Sequence, residues 1–233
     1  MTGQRKMEHR IKSGPGIAGC GTDQTGIRNH VRSKSYKRFT FILFLYLPQF
    51  VLSQNPDIRI LRSINSSQTL PSDKFFQFIS NSDTYVALGI PAGIAFAGLL
   101  KHDNNVLRNA CVIAATLAVN EGVTEIMKYS INRTRPFVTY PEITKKSGAG
   151  SPSFPSGHTS IAFAAATSLS LELPKWYVII PVYTWAGTVA YSRMDLGVHY
   201  PSDVIAGALV GAGSAWLCYG VNKKLNLYLT KKH

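Results

Sequence analysis

Apolar positions cluster late in this 233-residue chain. Residues 1–38 hold no apolar run. Residues 39–53 begin with FTFILFLYL behind a basic flank, then Pro48 and QFVLSQ. From residue 84 onward five apolar segments follow, at 84–100, 106–127, 161–173, 177–191 and 204–221, of 17, 22, 13, 15 and 18 residues. Runs of this length and period predict helices, so the fold class is all-α. A spanning helix wants about 20 apolar residues, and several segments fall short, so a soluble helical core could give the same pattern. Two shorter periodic pieces, DIRILRSI and DKFFQFIS, read as pieces lying on a membrane or capping the fold, or as ordinary surface helices.

Three features favour a bundle of about five to six membrane-embedded helices. GIPAG (Gly89, Gly93) and GALVG (Gly207, Gly211) carry the small-residue spacing that lets helices approach closely in lipid. Asn120, Glu121 and Glu125 in the second segment can face the bundle interior. The third feature is charge topology. With the basic tail inside, segment parity puts the loops 128–160 and 192–203 together on the outer side and the basic C-terminus inside. Loop 128–160 breaks the positive-inside rule, with six Lys, Arg and His, and such an exception needs a cause.

Charge adds the domain outline. Of the net +13, the first 38 residues contribute +7, from nine Lys/Arg against Glu8 and Asp23. That block reads as a disordered arm or a mis-assigned start, and lacks the aromatic interleaving expected of a nucleic-acid arm. Residues 39–53 read as a signal peptide cut near Ser53/Gln54 or as a first anchor. Residues 54–222 form the main domain, and 223–233 a basic tail. Cys111 and Cys218 sit in apolar runs as small hydrophobes, and Cys20 has no lipoprotein leader before it.

Chemistry concentrates in three clusters. In KYSINRTRP, Lys128 and Arg135 are seven apart, and Pro136 biases Arg135 out of a helix. In SFPSGHTS, Ser156 and Gly157 break the chain before an apolar helix, leaving free amides at a positive helix end, with His158 in its first turn. In SRMDLGVHYPSD, Tyr200 caps and Pro201 opens a helix whose first turn holds Asp203 as an anion, just after His199. A carboxylate there can fix the imidazole tautomer and leave the other nitrogen free as base or nucleophile. Asp195 reads as turn chemistry. Three cations (Lys128, Arg135, Arg193) suit a multiply charged anion, phosphate in particular. Neither histidine has the spacing of a zinc site.

Lys128-x6-Arg135-Pro136, Pro155-Ser156-Gly157-His158 and Ser192-Arg193-x5-His199-x3-Asp203, separated by 18 and 33 residues, resemble the tripartite signature of the type 2 phosphatidic acid phosphatases (PAP2). That superfamily includes class A acid phosphatases and vanadium haloperoxidases. The resemblance spans about residues 55–221. It implies that His199 attacks phosphorus, Asp203 orients it, and His158 protonates the leaving alkoxide and then activates water. Lys128, Arg135, Arg193, Ser156 and Gly157 would hold the phosphoryl oxygens, with no metal or other cofactor. The expected protein is a membrane lipid phosphatase in a bacterial inner membrane, its site facing the periplasm. Its substrate would be polyprenyl diphosphate, phosphatidic acid, phosphatidylglycerophosphate or a lipid A phosphate. The alternatives are a soluble periplasmic acid phosphatase, a vanadate-dependent haloperoxidase and a non-enzymatic lipid-binding or transport bundle.

Overall fold

The computed structural model describes residues 54–68 and 70–231, and the tail 1–38 and the signal-like stretch 39–53 lie outside the described residues. Regular structure among the described residues is helical throughout. The elements are α1 (Gln54–Ile64), α2 (Pro71–Lys101), α3 (Asn104–Ile131), α4 (Pro136–Thr139), α5 (Gly157–Glu172), α6 (Trp176–Asp195) and α7 (Pro201–Lys231).

DKFFQFIS is not a separate piece, because α2 runs through it and the next apolar segment without a break. Its start is fixed by Pro71 at the first helical position and by the Leu70 N–H, which donates to Asp73 Oδ2 at 2.9 Å. Beyond that only Pro91 interrupts the pattern, and the helix passes through it. His102, left-handed at φ 50°, ends α2, and the Asp103 carboxylate caps α3 through the Asn105 and Val106 amides. At the C-terminus the helix continues through the basic stretch to Lys231.

The centre of the bundle is α5, the shortest of its long helices, packed against α3, α6 and α7. Four alanines (Ala162, Ala164, Ala165, Ala166) are fully buried on it. They meet Ala87, Ile113 and Leu117 on one side and Val182, Ala186 and Val189 on the other. On α7, a Cβ added at Gly207 would lie 2.5 Å from the Ser156 carbonyl, and one at Gly211 2.2 Å from the Ser160 carbonyl. Backbone rests on backbone here, as the small-residue spacing predicts. The Gly89/Gly93 pair does not act this way, since a Cβ at either meets nothing within 4 Å.

Among the described residues, three helical stretches are long and apolar enough to cross a membrane: Pro71–Lys101, Asn104–Thr139 and Pro201–Leu225, with mean hydropathy 1.5, 1.4 and 1.7. Their outward faces expose Phe78, Tyr85, Phe96, Ile126, Trp216 and Leu217. Exposed apolar surface on this scale is covered by lipid rather than water. Cys111, expected as a buried thiol, is on this exposed side, and Cys218 is half-buried.

Candidate active site

At one end of the bundle a cavity of about 230 Å³ is lined by Lys128, Arg135, Gly148, Ala149, Gly150, Ser151, Gly157, His158, Arg193 and His199. The loops 128–160 and 192–203 therefore meet, as segment parity requires. Six of the eight residues singled out in the sequence line this cavity. The other two, Ser156 and Asp203, are fully buried.

Each element places its side chain for a local reason. Helix α3 stops at Asn132, left-handed at φ 48°, three residues before the position Pro136 alone implied. Arg135 is then the extended N-cap of α4. Its Nε donates to the Ser151 carbonyl at 2.7 Å, and its Nη1 donates to the Val198 carbonyl at 2.9 Å and lies 3.3 Å from His199 Nε2. Lys128, in the last turn of α3, pairs with Glu125 at 2.5 Å, and its Nζ would lie 3.2 Å from a Cβ added at Gly157. Arg193 lies in the last turn of α6 and is 1% exposed. Its Nη1 donates to Ser80 Oγ at 2.5 Å, while its buried Nε has no partner among the described residues.

Ser156 is the N-cap of α5, but its hydroxyl accepts from Thr159 Oγ1 at 3.0 Å and caps no helix amide. Its own N–H donates to the Asp203 carbonyl at 3.0 Å, which stitches the second cluster to the third. His158 Nε2 lies 3.9 Å from Asp83 Oδ2. The turn between α6 and α7 needs Gly197, at φ 71°, where a Cβ would meet the Thr144 carbonyl at 2.3 Å. That turn delivers His199, 2% exposed, with Nδ1 facing Asp203 Oδ2 at 3.6 Å and Nε2 on the cavity side. Asp203 is the third residue of α7 and accepts from the Tyr200 N–H at 3.0 Å, the usual reach of a carboxylate at this position.

The sequence reading missed the rest of that carboxylate's surroundings. Arg133 Nη1 donates to Asp203 Oδ1 at 2.5 Å, and Ser153 Oγ donates to Oδ2 at 2.5 Å. Arg133 also donates to Ser202 Oγ and to Asp57 of α1, and its guanidinium lies 4.0 Å from the centre of the Tyr200 ring. Arg133 was visible in KYSINRTRP as a fourth strong cation. Asp57, 76 residues away, left no trace in the sequence. Asp195, read as turn chemistry, is the last residue of α6; its carbonyl accepts from Asn65 Nδ2 at 2.7 Å.

Electrostatics follow from this enclosure. Burial pushes the His199 imidazole down to about 4, with Arg193 and Arg135 adding to the shift and Asp203 opposing it. Burial, joined by Arg193, His199, Lys128 and Arg135, likewise holds His158 below its ordinary range. At neutral pH both rings are uncharged. The arrangement can hold a tetrahedral polyanion against three cations and the amides opening α5, with an unprotonated ring nitrogen beside it.

Comparison with known proteins agrees with this geometry. The model of the PAP2 superfamily matches residues 109–227. The undecaprenyl-diphosphatase of Sulfolobus acidocaldarius is 30% identical over 192 residues, covering 79% of this chain and 90% of that protein. The lipid A 4'-phosphatase of Bacteroides thetaiotaomicron is 35% identical over 98 residues, 42% of this chain and 44% of that one, so the match spans less than half of the relative. Among solved structures, the transmembrane PAP2 type phosphatidylglycerolphosphate phosphatase of Bacillus subtilis shares the fold, with a TM-score of 0.65 at 24% identity, over 81% of this chain and 97% of that one. The chain belongs to the PAP2 superfamily, on its membrane lipid phosphatase branch.

Proposed function

We propose that this protein removes phosphate from a membrane lipid phosphate or diphosphate through a phosphohistidine formed on His199. The observation that carries this is the buried His199 imidazole lining a cation-rich cavity, with Nε2 3.3 Å from Arg135 Nη1 and Nδ1 toward Asp203. Lys128, Arg135 and Arg193 hold the phosphoryl oxygens with the Gly157 amide, while the Ser156 N–H is engaged by the Asp203 carbonyl. Phosphoryl transfer asks mainly for such positioning and charge stabilisation, which the cations supply without a metal. His199 Nε2 attacks phosphorus, the P–O bond to the lipid breaks, and His158 gives its proton to the departing oxygen. Water, deprotonated by His158, then attacks the phosphohistidine and releases inorganic phosphate. His158 is neutral in the empty site. An arriving phosphate dianion offsets the cations that hold it down, so the ring becomes charged as substrate binds.

Relatives named for undecaprenyl diphosphate and lipid A support a lipid phosphate as substrate. The lipid-facing helices weigh against a soluble acid phosphatase. The positive-inside pattern supports a site at the outer, periplasmic face of a bacterial inner membrane, where a headgroup would reach the cavity while its chains stay in the bilayer.

Full-length protein in detergent should release phosphate from dioctanoyl phosphatidic acid and from undecaprenyl diphosphate in the presence of EDTA, and His199→Ala should reduce release to background. His158→Ala should slow alkoxide leaving groups about 10²-fold or more while sparing p-nitrophenolate, as loss of a general acid requires. Full activity in His199→Ala refutes the mechanism. Vanadate should inhibit phosphate release, and halide oxidation by the vanadate-treated protein would favour a haloperoxidase instead.

A further inference from the structure

Helix α1 lies outside the segment that the family model matches, and its sequence left open whether it caps the fold, lies on a membrane or is an ordinary surface helix. The structure seats it firmly behind the His199 turn. Ile58 and Leu61 pack with Ile143 and Tyr200. Asn65, just past its end, brackets Thr144 through its N–H and carbonyl at 2.9 and 3.1 Å, and holds the Asp195 carbonyl. From this seat Asp57, 7% exposed, reaches the active-site network. Its Oδ2 accepts from Arg133 Nη2 at 2.9 Å and from the Ser202 hydroxyl, and its Oδ1 accepts from the Ser202 N–H at 3.0 Å.

A charge count shows what this contact does. Arg133 and Asp203 alone would make a neutral pair, and a carboxylate so neutralised offers little to a cationic imidazole. Asp57 engages the other nitrogen of the same guanidinium. The buried cluster Asp57–Arg133–Asp203 then carries one net negative charge, and His199 is the ring next to it. The other titratable and charged groups facing His199 are Arg135, Arg193 and His158, which disfavour a charged ring. We infer that Asp57 is a positioning residue whose negative charge, passed through Arg133, leaves Asp203 an uncompensated anion able to support the positive charge His199 acquires when it takes the phosphoryl group. The inference rests on His199 being the nucleophile.

The test is a set of pH–rate profiles on full-length protein in detergent with dioctanoyl phosphatidic acid. Attack requires unprotonated His199, so its titration sets the acidic limb of kcat/KM. Asp57→Asn keeps the shape and removes the charge. Its acidic limb should move to lower pH by about one unit, the size expected for one charge removed roughly 10 Å away at an effective dielectric constant of about 20, and kcat should fall about tenfold. Ser202→Ala removes an anchor and keeps the charge, so it should lower the melting temperature and leave the limb in place. Arg133→Gln changes the charge in the opposite sense and should move the limb to higher pH, which keeps the inference testable if Asp57→Asn does not fold. An unmoved limb in a folded Asp57→Asn, or an equal shift in Ser202→Ala, overturns it; if Asp57→Asn does not fold, an unmoved or lowered limb in Arg133→Gln does so. Activity persisting in His199→Ala would instead overturn the nucleophile assignment, so the two failures are distinguishable.

Discussion

Replacing Gly207 by alanine tests whether helix packing holds the phosphate cradle in place. The added methyl group would stand 2.5 Å from the Ser156 carbonyl oxygen and 3.3 Å from the Ser160 nitrogen, whereas ordinary contact begins at 3.4 Å. The nearest obstacle is backbone and cannot rotate away. Helices α5 and α7 must therefore separate locally by close to 1 Å, and Ser156 and Gly157 move with α5. Overpacking of this kind costs about 1–3 kcal/mol. A displacement near 1 Å at a reacting centre costs up to about 10²-fold in rate. Melting in detergent reads the first effect, and kcat/KM for dioctanoyl phosphatidic acid reads the second. Gly213→Ala on the same helix is the control: a Cβ there meets nothing within 4 Å, and helix propensity gains about 1 kcal/mol. Equal activity in the two alanine variants would refute the idea that the α5–α7 contact sets the cradle.

Two further outcomes follow from buried charge. The folded-state pKa of His199 lies near 4, below its ordinary 6.5, so between these values the unfolded chain binds more protons than the folded one. Stability present above pH 6.5 is then lost as pH falls toward 4, and the melting temperature should drop across that window, less steeply in His199→Gln; equal slopes would contradict this. Lys146 and Asp73 form a buried pair at 3.0 Å that ties the loop over the cavity to α2, and Lys146→Met strands the carboxylate. Chemical denaturation should show a loss of about 3–5 kcal/mol, and a loss below about 1 would mean the pair is not isolated from water.

Much of the site was legible because its parts are local in the chain. Pro155-Ser156-Gly157-His158 and Tyr200-Pro201-Ser202-Asp203 are helix starts, and a helix start announces itself by its breakers and by the charge it tolerates. The second small-residue spacing, Gly207 and Gly211, signalled a real close approach. The Gly89/Gly93 spacing did not, because sequence shows that a helix can be approached and not whether a neighbour arrives. Element boundaries failed where a side chain decided them: Asp73 starts α2 early, and left-handed Asn132 stops α3 short. Asp57 was invisible for a different reason. Its partners, Arg133 and Ser202, lie 76 and 145 residues away, and no periodicity encodes a contact of that range.

The length of α5 has a consequence for which phosphates can enter. It has 16 residues, about 24 Å, against 28 in α3 and 31 in α7. Its N-terminal end is level with Gly207, six residues into α7, and Ser160 is level with Thr124, seven residues short of the end of α3. The central helix thus stops roughly 9 Å below the start of α7 and roughly 6 Å below the end of α3, and the cavity lies in the shaft left above it. A phosphate going down that shaft leads with its bare oxygens and trails one substituent. A monoester or a terminal diphosphate has that shape. A diester, the ordinary form of membrane phospholipid, would have to bring a second chain down the same opening. On the proposed lipid phosphatase reading, discrimination against the surrounding diesters depends less on any single contact than on a helix that ends between one and two turns early.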